Sequence, residues 1–293
     1  MRNVLSKKTA IFVFIVPFLV LYTFIMMYPI IQVTIKSFYS WDGVTAPIFT
    51  GLNNYKTLFS DSDFLPAVKN GLIFAAVIFV FEQGVGTLLA LLFSTKTLRL
   101  KGSKFFKTSF FLPVVLSISV VGQLWTQIFN YDHGLINNFL GSFGCKVGFL
   151  SDPKLAIYSV AFTNGWQFMG MMFVFIYTAI KLIPEQYYEA ATIDGASPAT
   201  IHRKITLPLI AETYKVTFTM SITGGLQAFN NMFIMTGGGP GNSTMTLTYL
   251  MYKSAFQRGE FGYGCASAVI LVAECLLFTL IINKFMARER IVY

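Results

Sequence analysis

The sequence predicts an all-α membrane protein built on six transmembrane helices. Three observations carry that prediction. Of 293 residues, 55% are apolar, and the mean hydropathy is +0.62. Only 12% are charged, and those charges gather in short clusters between long runs that are nearly free of them. A soluble domain of this length has too little interior to hide so much apolar surface.

Crossing ~30 Å of hydrocarbon takes roughly 20 apolar residues. Stretches of that kind occupy 10–32, 71–93, 109–129, 155–180, 207–233 and 264–283. Helices are expected because a lone segment in lipid has to satisfy its own backbone hydrogen bonds. The first stretch is longer than the apolar core of a secretory signal and no small-residue cleavage site follows it, so it is expected to remain as the first span.

The connections at 33–70, 130–154 and 234–263 carry Pro, Gly, Asn and Asp turn chemistry and interfacial aromatics such as Trp41 and Tyr131. Lys and Arg weight the opposite side. Fourteen fall there: Arg2, Lys7, Lys8, Lys96, Arg99, Lys101, Lys104, Lys107, Lys181, Arg203, Lys204, Lys284, Arg288 and Arg290. Seven fall on the first side: Lys36, Lys56, Lys69, Lys146, Lys154, Lys253 and Arg258. The positive-inside rule then puts both termini in the cytoplasm of a multi-pass protein.

The net charge of +9 is thus read as membrane topology and not as a nucleic-acid surface. Cys145, Cys265 and Cys275 show neither a CxxC pair nor metal-ligand spacing and read as apolar fillers. His133 and His202 lie in loops and point to neither a metal nor a base. No catalytic residue is assigned, because no His pair, Ser-His set or carboxylate dyad falls at one membrane depth. No internal repeat is visible, so residues 1–293 read as a single permease domain.

The connection at about 181–208 is more than a linker. Pro184 suits a first helical turn, Glu185 suits the positive end of the helix dipole, and Gly195 suits a left-handed helix stop. Ser197 then caps a second helix whose first residue is Pro198, and Leu207-Pro208 leads into the fifth span. Tyr187, Tyr188, Ala191 and Ile193 offer apolar contacts, and Ala190 and Ala191 leave room for a close partner backbone. Two readings of such a helix stand open: a knob for a partner's groove, or an amphipathic helix resting on lipid headgroups.

Glu189-Ala190-Ala191, then Gly195 after three residues, then Ile205, Leu207 and Pro208 match the EAA motif of bacterial ABC importer permeases residue for residue. The surrounding Tyr188 to Ala196 and the loop Thr236-Gly237-Gly238-Gly239-Pro240-Gly241-Asn242-Ser243-Thr244 resemble the carbohydrate branch, the maltose, multiple-sugar and raffinose permeases. The resemblance covers most of the chain and implies the type I importer (MetI-like) fold in a bacterial cytoplasmic membrane. It implies that Glu189, Ala190, Ala191, Gly195, Leu207 and Pro208 couple to a separate ATPase. It further implies a second homologous permease, an ATPase dimer and an extracellular solute-binding protein as partners. Gly237 to Thr244 lacks the Gly-Lys-Ser/Thr ending of a phosphate loop, so the chain itself binds no cofactor and ATP and Mg belong to the partner ATPase.

Polar residues within the fourth and fifth spans are expected to line the passage. Asn164, Gln167, Ser221, Gln227 and Asn230 are the substrate candidates, since neutral amides and hydroxyls suit sugar hydroxyls and Trp166 or Phe168 suits a ring face. The same groups also suit hydrogen bonds between helices. An uncharged di- or oligosaccharide is the expected cargo. A glycerol phosphate or polyol phosphate is the alternative, although only Lys215 supplies a cation inside a span. Glu82 and Glu274 raise a proton-coupled carrier as the remaining option, against packing at Gly84 and Gly86.

Overall fold

The computed structural model describes residues 8–94 and 103–286. Arg2, Lys7, Lys96, Arg99, Lys101, Arg288 and Arg290 of the basic clusters lie outside the described residues. Helices make up the chain: α1 (Lys8–Tyr22), α2 (Tyr28–Lys36), α3 (Asn53–Ser60), α4 (Phe64–Ser94), α5 (Ser103–Val115), α6 (Ile118–Ile128), α7 (Leu135–Gly141) and α8 (Ala156–Leu182). Then come α9 (Glu185–Ile193), α10 (Pro198–Ile201), α11 (Leu207–Leu209), α12 (Ala211–Leu226), α13 (Asn230–Met235), α14 (Leu247–Tyr252) and α15 (Phe261–Phe285). A short antiparallel hairpin joins β1 (Tyr39–Ser40) to β2 (Ile48–Phe49), with Tyr39 opposite Phe49.

Among the described residues, four helices are long and apolar enough to cross a membrane: Phe12–Lys36, Phe64–Ser94, Ala156–Leu182 and Phe261–Phe285. The first runs through a wide turn at Thr23–Met27. Pro29, at the start of α2, has no N–H to donate into that turn, and a widened turn absorbs the defect.

The third and fifth predicted stretches are not single helices. The third is α5 and α6, bent by 100°. Pro113 removes a donor from α5, and Ser117 takes an extended backbone (φ −60°, ψ 136°) before α6 begins. The Leu116 carbonyl freed at this corner accepts a hydrogen bond from Gln167 Nε2 at 3.0 Å. In the fifth stretch, α12 is 16 residues long and the chain breaks over 227–229 before α13. The broken turn is also satisfied: the Ala228 carbonyl accepts from Thr248 Oγ1 at 2.7 Å and from Thr246 Oγ1 at 3.3 Å. Irregular backbone survives at membrane depth only with such internal partners.

Two compact units are drawn from the chain. Met1–Asp61 and Leu250–Ile270 make the first. Here Asn54 Nδ2 donates to the Ser37 and Tyr39 carbonyls, both at 2.8 Å, and Lys36 lies 4.8 Å from the Trp41 ring centroid. Gly262 is required at its place, since a Cβ would stand 2.0 Å from the Tyr39 carbonyl oxygen.

Ser62–Tyr249 and Leu271–Tyr293 make the second unit, which holds every predicted site residue. Its centre is α4 against α8, with Phe74, Met172, Phe173 and Ile176 buried. Small residues set the crossings. A Cβ on Gly170 would meet the Phe110 carbonyl oxygen at 2.0 Å, and one on Gly225 would meet Ala75 Cα at 2.7 Å. Of the two glycines beside Glu82, only Gly86 makes a close crossing, 3.0 Å from Met172 and Phe173, whereas nothing stands within 4 Å of a Cβ on Gly84. At one end Ala90, Phe173, Ile176, Ile180, Ile183 and Ile210 form an apolar cluster on which Tyr188 and Tyr214 pack.

Candidate coupling loop and transport pathway

Helix α9 begins at Glu185, with Pro184 standing one residue outside it at φ −58° and ψ 137°. Pro184 is therefore the residue before the helix and not within its first turn, which leaves Glu185 at the positive dipole end. The stop is a Schellman arrangement: Gly195 takes φ +74°, Gly195 N donates to the Thr192 carbonyl and Ala196 N to the Ala191 carbonyl. Ser197 Oγ accepts from Thr200 N at 3.3 Å and caps α10, with Pro198 as its first residue. A wide turn over His202–Thr206 then delivers Leu207 and Pro208 to α11.

The motif residues divide by exposure. Ala191 is buried, while Glu189, Ala190 and Gly195 are exposed and Ile193 is 86% exposed. Leu207 and Pro208 are half-buried. Between the end of α8 and this loop lies an open groove of about 960 Å³ whose lining includes Lys181, Ile183, Glu185, Glu189, Ile193 and His202. The loop thus offers an apolar tip beside carboxylates, with space for a partner's side chains. Partial burial depresses the His202 pKa below its ordinary value, so the ring is neutral at pH 7. Its Nδ1 lies 3.3 Å from Thr206 Oγ1.

The five passage candidates fall into two groups. Asn164, Gln167 and Ser221 are buried and bonded to neighbouring elements. Asn164 Nδ2 donates to Asn231 Oδ1 at 3.1 Å. Gln167 serves the Leu116 corner, and its Oε1 has no partner. Ser221 Oγ donates to Glu82 Oε2 at 2.5 Å and accepts from Gln83 Nε2 at 2.8 Å. Thr217 Oγ1 donates to Gln83 Oε1 at 3.1 Å, which closes a polar patch between α4 and α12. Gln227 and Asn230, by contrast, are exposed, and Gln227 Nε2 reaches Cys275 Sγ at 3.6 Å. They continue a face of α12 on which Val216 and Met220 are 57% and 37% exposed and Gly224 is also open.

Sequence reasoning missed Asn231. It lies beside Asn230 but is 2% exposed, and a helical wheel of an unbroken fifth span has no way to separate the two. The Gly-rich loop is likewise a packed element: Thr244 Oγ1 donates to the Gly239 carbonyl at 2.9 Å, and Asn242 Nδ2 donates to Asp63 Oδ1 at 3.1 Å. Among the described residues, no group of three His, Cys, Asp or Glu is placed to hold a metal ion.

Comparison with known proteins agrees with this geometry. The chain is 35% identical over 284 residues to the probable ABC transporter permease protein YurN of Bacillus subtilis, covering 96% of this chain and 97% of the relative. It is 34% identical over 271 residues to the multiple sugar-binding transport system permease protein MsmF of Streptococcus mutans, covering 92% of each. Its fold is shared with a chain of a bacterial ABC transporter that imports the acidic polysaccharide alginate, at a TM-score of 0.82 and 23% identity, covering 99% of both chains. The family of binding-protein-dependent transport system inner membrane components matches residues 5–291. A span broken at a polar face, an exposed helix-turn-helix and near full-length likeness to ABC permeases converge, and the chain belongs to that family of inner membrane transport components.

Proposed function

We propose that this permease forms half of the passage for an uncharged di- or oligosaccharide, driven by a separate ATPase that docks on the loop at 184–208. The observation that carries the reading is the open face of the fifth stretch, from Val216 and Met220 through Gly224 and Gln227 to Asn230. A residue lining half a passage is uncovered in the lone chain, because the other wall belongs to a second permease. Residues spent on their own helices are covered, and that test separates Gln227 and Asn230 from Asn164, Gln167 and Ser221. Between Val216 and Asn230 the open face has amide groups and no formal charge, with the exposed Glu212 one turn before it and the half-buried Lys215 beside Val216, and an amide-lined stretch fits neutral hydroxyls better than a phosphate.

The coupling half of the proposal rests on Glu189, Ala190 and Ile193, exposed on α9 beside the groove. An ATPase dimer closing on ATP pulls two such loops together, and the helix bundles open toward a sugar-loaded binding protein. Hydrolysis resets them. Both termini lie in the cytoplasm in this arrangement, as the distribution of Lys and Arg requires.

The test is sugar-stimulated ATP hydrolysis by the reconstituted complex of permease pair, ATPase and binding protein in nanodiscs. Glu189→Ala and Gly195→Pro are expected to abolish stimulation. Gln227→Ala is expected to raise the sugar concentration needed for half-maximal transport while leaving the response to saturating sugar. Stimulation by glycerol phosphate in place of sugar overturns the cargo assignment, and full stimulation of Glu189→Ala overturns the docking site.

A further inference from the structure

The side of the membrane that carries 33–70, 130–154 and 234–263 is poor in Lys and Arg, yet two of its seven cations meet in one pocket of the second unit. The pocket, of about 680 Å³, draws on all three connections: Lys69 stands near the start of α4, Lys154 just before α8, and Ser243 in the Gly-rich loop. Both lysines are exposed, and among the described residues neither Nζ has an ion-pair or hydrogen-bond partner. The lining includes one carboxylate, Asp63, whose Oδ1 accepts from Asn242 Nδ2 at 3.1 Å.

Donors predominate in this pocket. The two ammonium groups are joined by the Tyr158 phenol, 48% exposed, and by Ser243 Oγ, a buried hydroxyl without a partner. The first turns of α4 and α8 also line it, and their positive dipole ends add to the same field. Such a set suits a group with several anionic oxygens. Depth names the source of that group. Apolar stretches begin at 71 and 155, two residues after Lys69 and one after Lys154, so both ammonium groups stand at the level of lipid headgroups. Ile73, one turn deeper than Lys69 on the same face of α4, lines the pocket and suits the glycerol and acyl carbons of a lipid.

We infer that this pocket binds the phosphate headgroup of an anionic phospholipid in the outer leaflet, held by Lys69 and Lys154. One headgroup then ties the outer ends of α4 and α8 to the loop that follows α13. Basic pockets between spanning helices recognise anionic headgroups by this combination of paired cations and apolar wall. The inference rests on the outward orientation of these connections and not on the cargo.

The experiment is native mass spectrometry of the full reconstituted complex, titrated with phosphatidylglycerol and, for comparison, with phosphatidylcholine, whose choline cancels the phosphate charge. Phosphatidylglycerol is expected to bind the more tightly. Lys69→Gln or Lys154→Gln is expected to weaken it roughly fivefold and the double variant roughly thirtyfold, while Lys69→Arg keeps it. Lys56→Gln, which changes a lysine of the same side outside this pocket, is expected to leave it unchanged. Equal binding of the two lipids, native binding by the double variant, or an equal loss in Lys56→Gln overturns the site. Displacement of the lipid by inorganic phosphate overturns the lipid assignment in favour of a free anion. Unchanged lipid binding with weakened capture of the solute-binding protein by the double variant overturns it in favour of a carboxylate of that partner. Cys145 labelling that requires permeabilised cells overturns the outer-leaflet placement. Lipid binding is read without transport, so a complex that moves no sugar counts against the cargo reading alone.

Discussion

Gly195 holds φ at +74° with nothing within 4 Å of where a Cβ would stand. Substitution there is therefore a question of backbone strain alone, and Gly195→Ala is expected to cost about 1–2 kcal/mol, with Asn the mildest replacement. A lower melting temperature with unchanged secondary structure is the expected measurement. His202 supplies a pH dependence. Its folded pKa lies below the unfolded value, so the folded state binds fewer protons than the unfolded state, and its contribution to stability is whole above roughly pH 6.5 and declines as pH falls. Coupled ATP hydrolysis is expected to drop between pH 7 and 5.5 more steeply in the native complex than in His202→Gln. Equal slopes remove His202 from the loop's stability. At this scale the sequence was readable where one residue does one local job: Gly195 as a stop and Ser197 as a cap follow from φ preference and hydroxyl chemistry. It was unreadable for Asn164, Gln167 and Ser221, because an amide or hydroxyl suits a sugar and a neighbouring helix equally well, and only the partner found in space decides.

Helix crossings depend on backbone approach. At Gly170 a Cβ would sit 2.0 Å from the Phe110 carbonyl oxygen, a contact no side-chain adjustment relieves. Gly170→Ala is expected to separate α5 from α8, cut the yield of assembled protein and lower its melting temperature by several degrees, whereas Gly84→Ala, with open space around it, is expected to be neutral. Two equal melting curves contradict this account of the crossing. The bend between α5 and α6 and the break before α13 were hidden in hydropathy, which records apolar length and is blind to direction. Pro113 marked the first locally, yet the partner that makes the bend tolerable, Gln167, is 51 residues away from Leu116. The hydroxyls that donate to the Ala228 carbonyl at the break come from Thr246 and Thr248 after a long loop.

For the molecule as a whole, the outward assignment of 130–154 makes Cys145 the accessible thiol of the three, since it is exposed while Cys265 and Cys275 are half-buried. A membrane-impermeant maleimide added to intact cells is expected to label the native protein and not Cys145→Ser. Labelling that requires permeabilised cells reverses the topology. The energy source also belongs to this scale. The sequence has no phosphate loop, and purified permease alone is expected to hydrolyse no ATP until the ATPase is added.

From sequence alone came the class of the protein, its long apolar helices and the helix-turn-helix at 185–201 with its stop and cap. These are properties of contiguous residues: apolar length against bilayer thickness, charge clusters between spans, and turn chemistry at fixed offsets. Tertiary structure alone decided which passage candidates are open and which are spent, why Glu82 is tolerated, and that Asn231 rather than Asn230 is the buried amide. Those outcomes turn on pairs such as Glu82 with Ser221, 139 positions apart. In a hydrocarbon medium each polar group has to find a partner within the protein, and the identity of that partner is set by which helices meet.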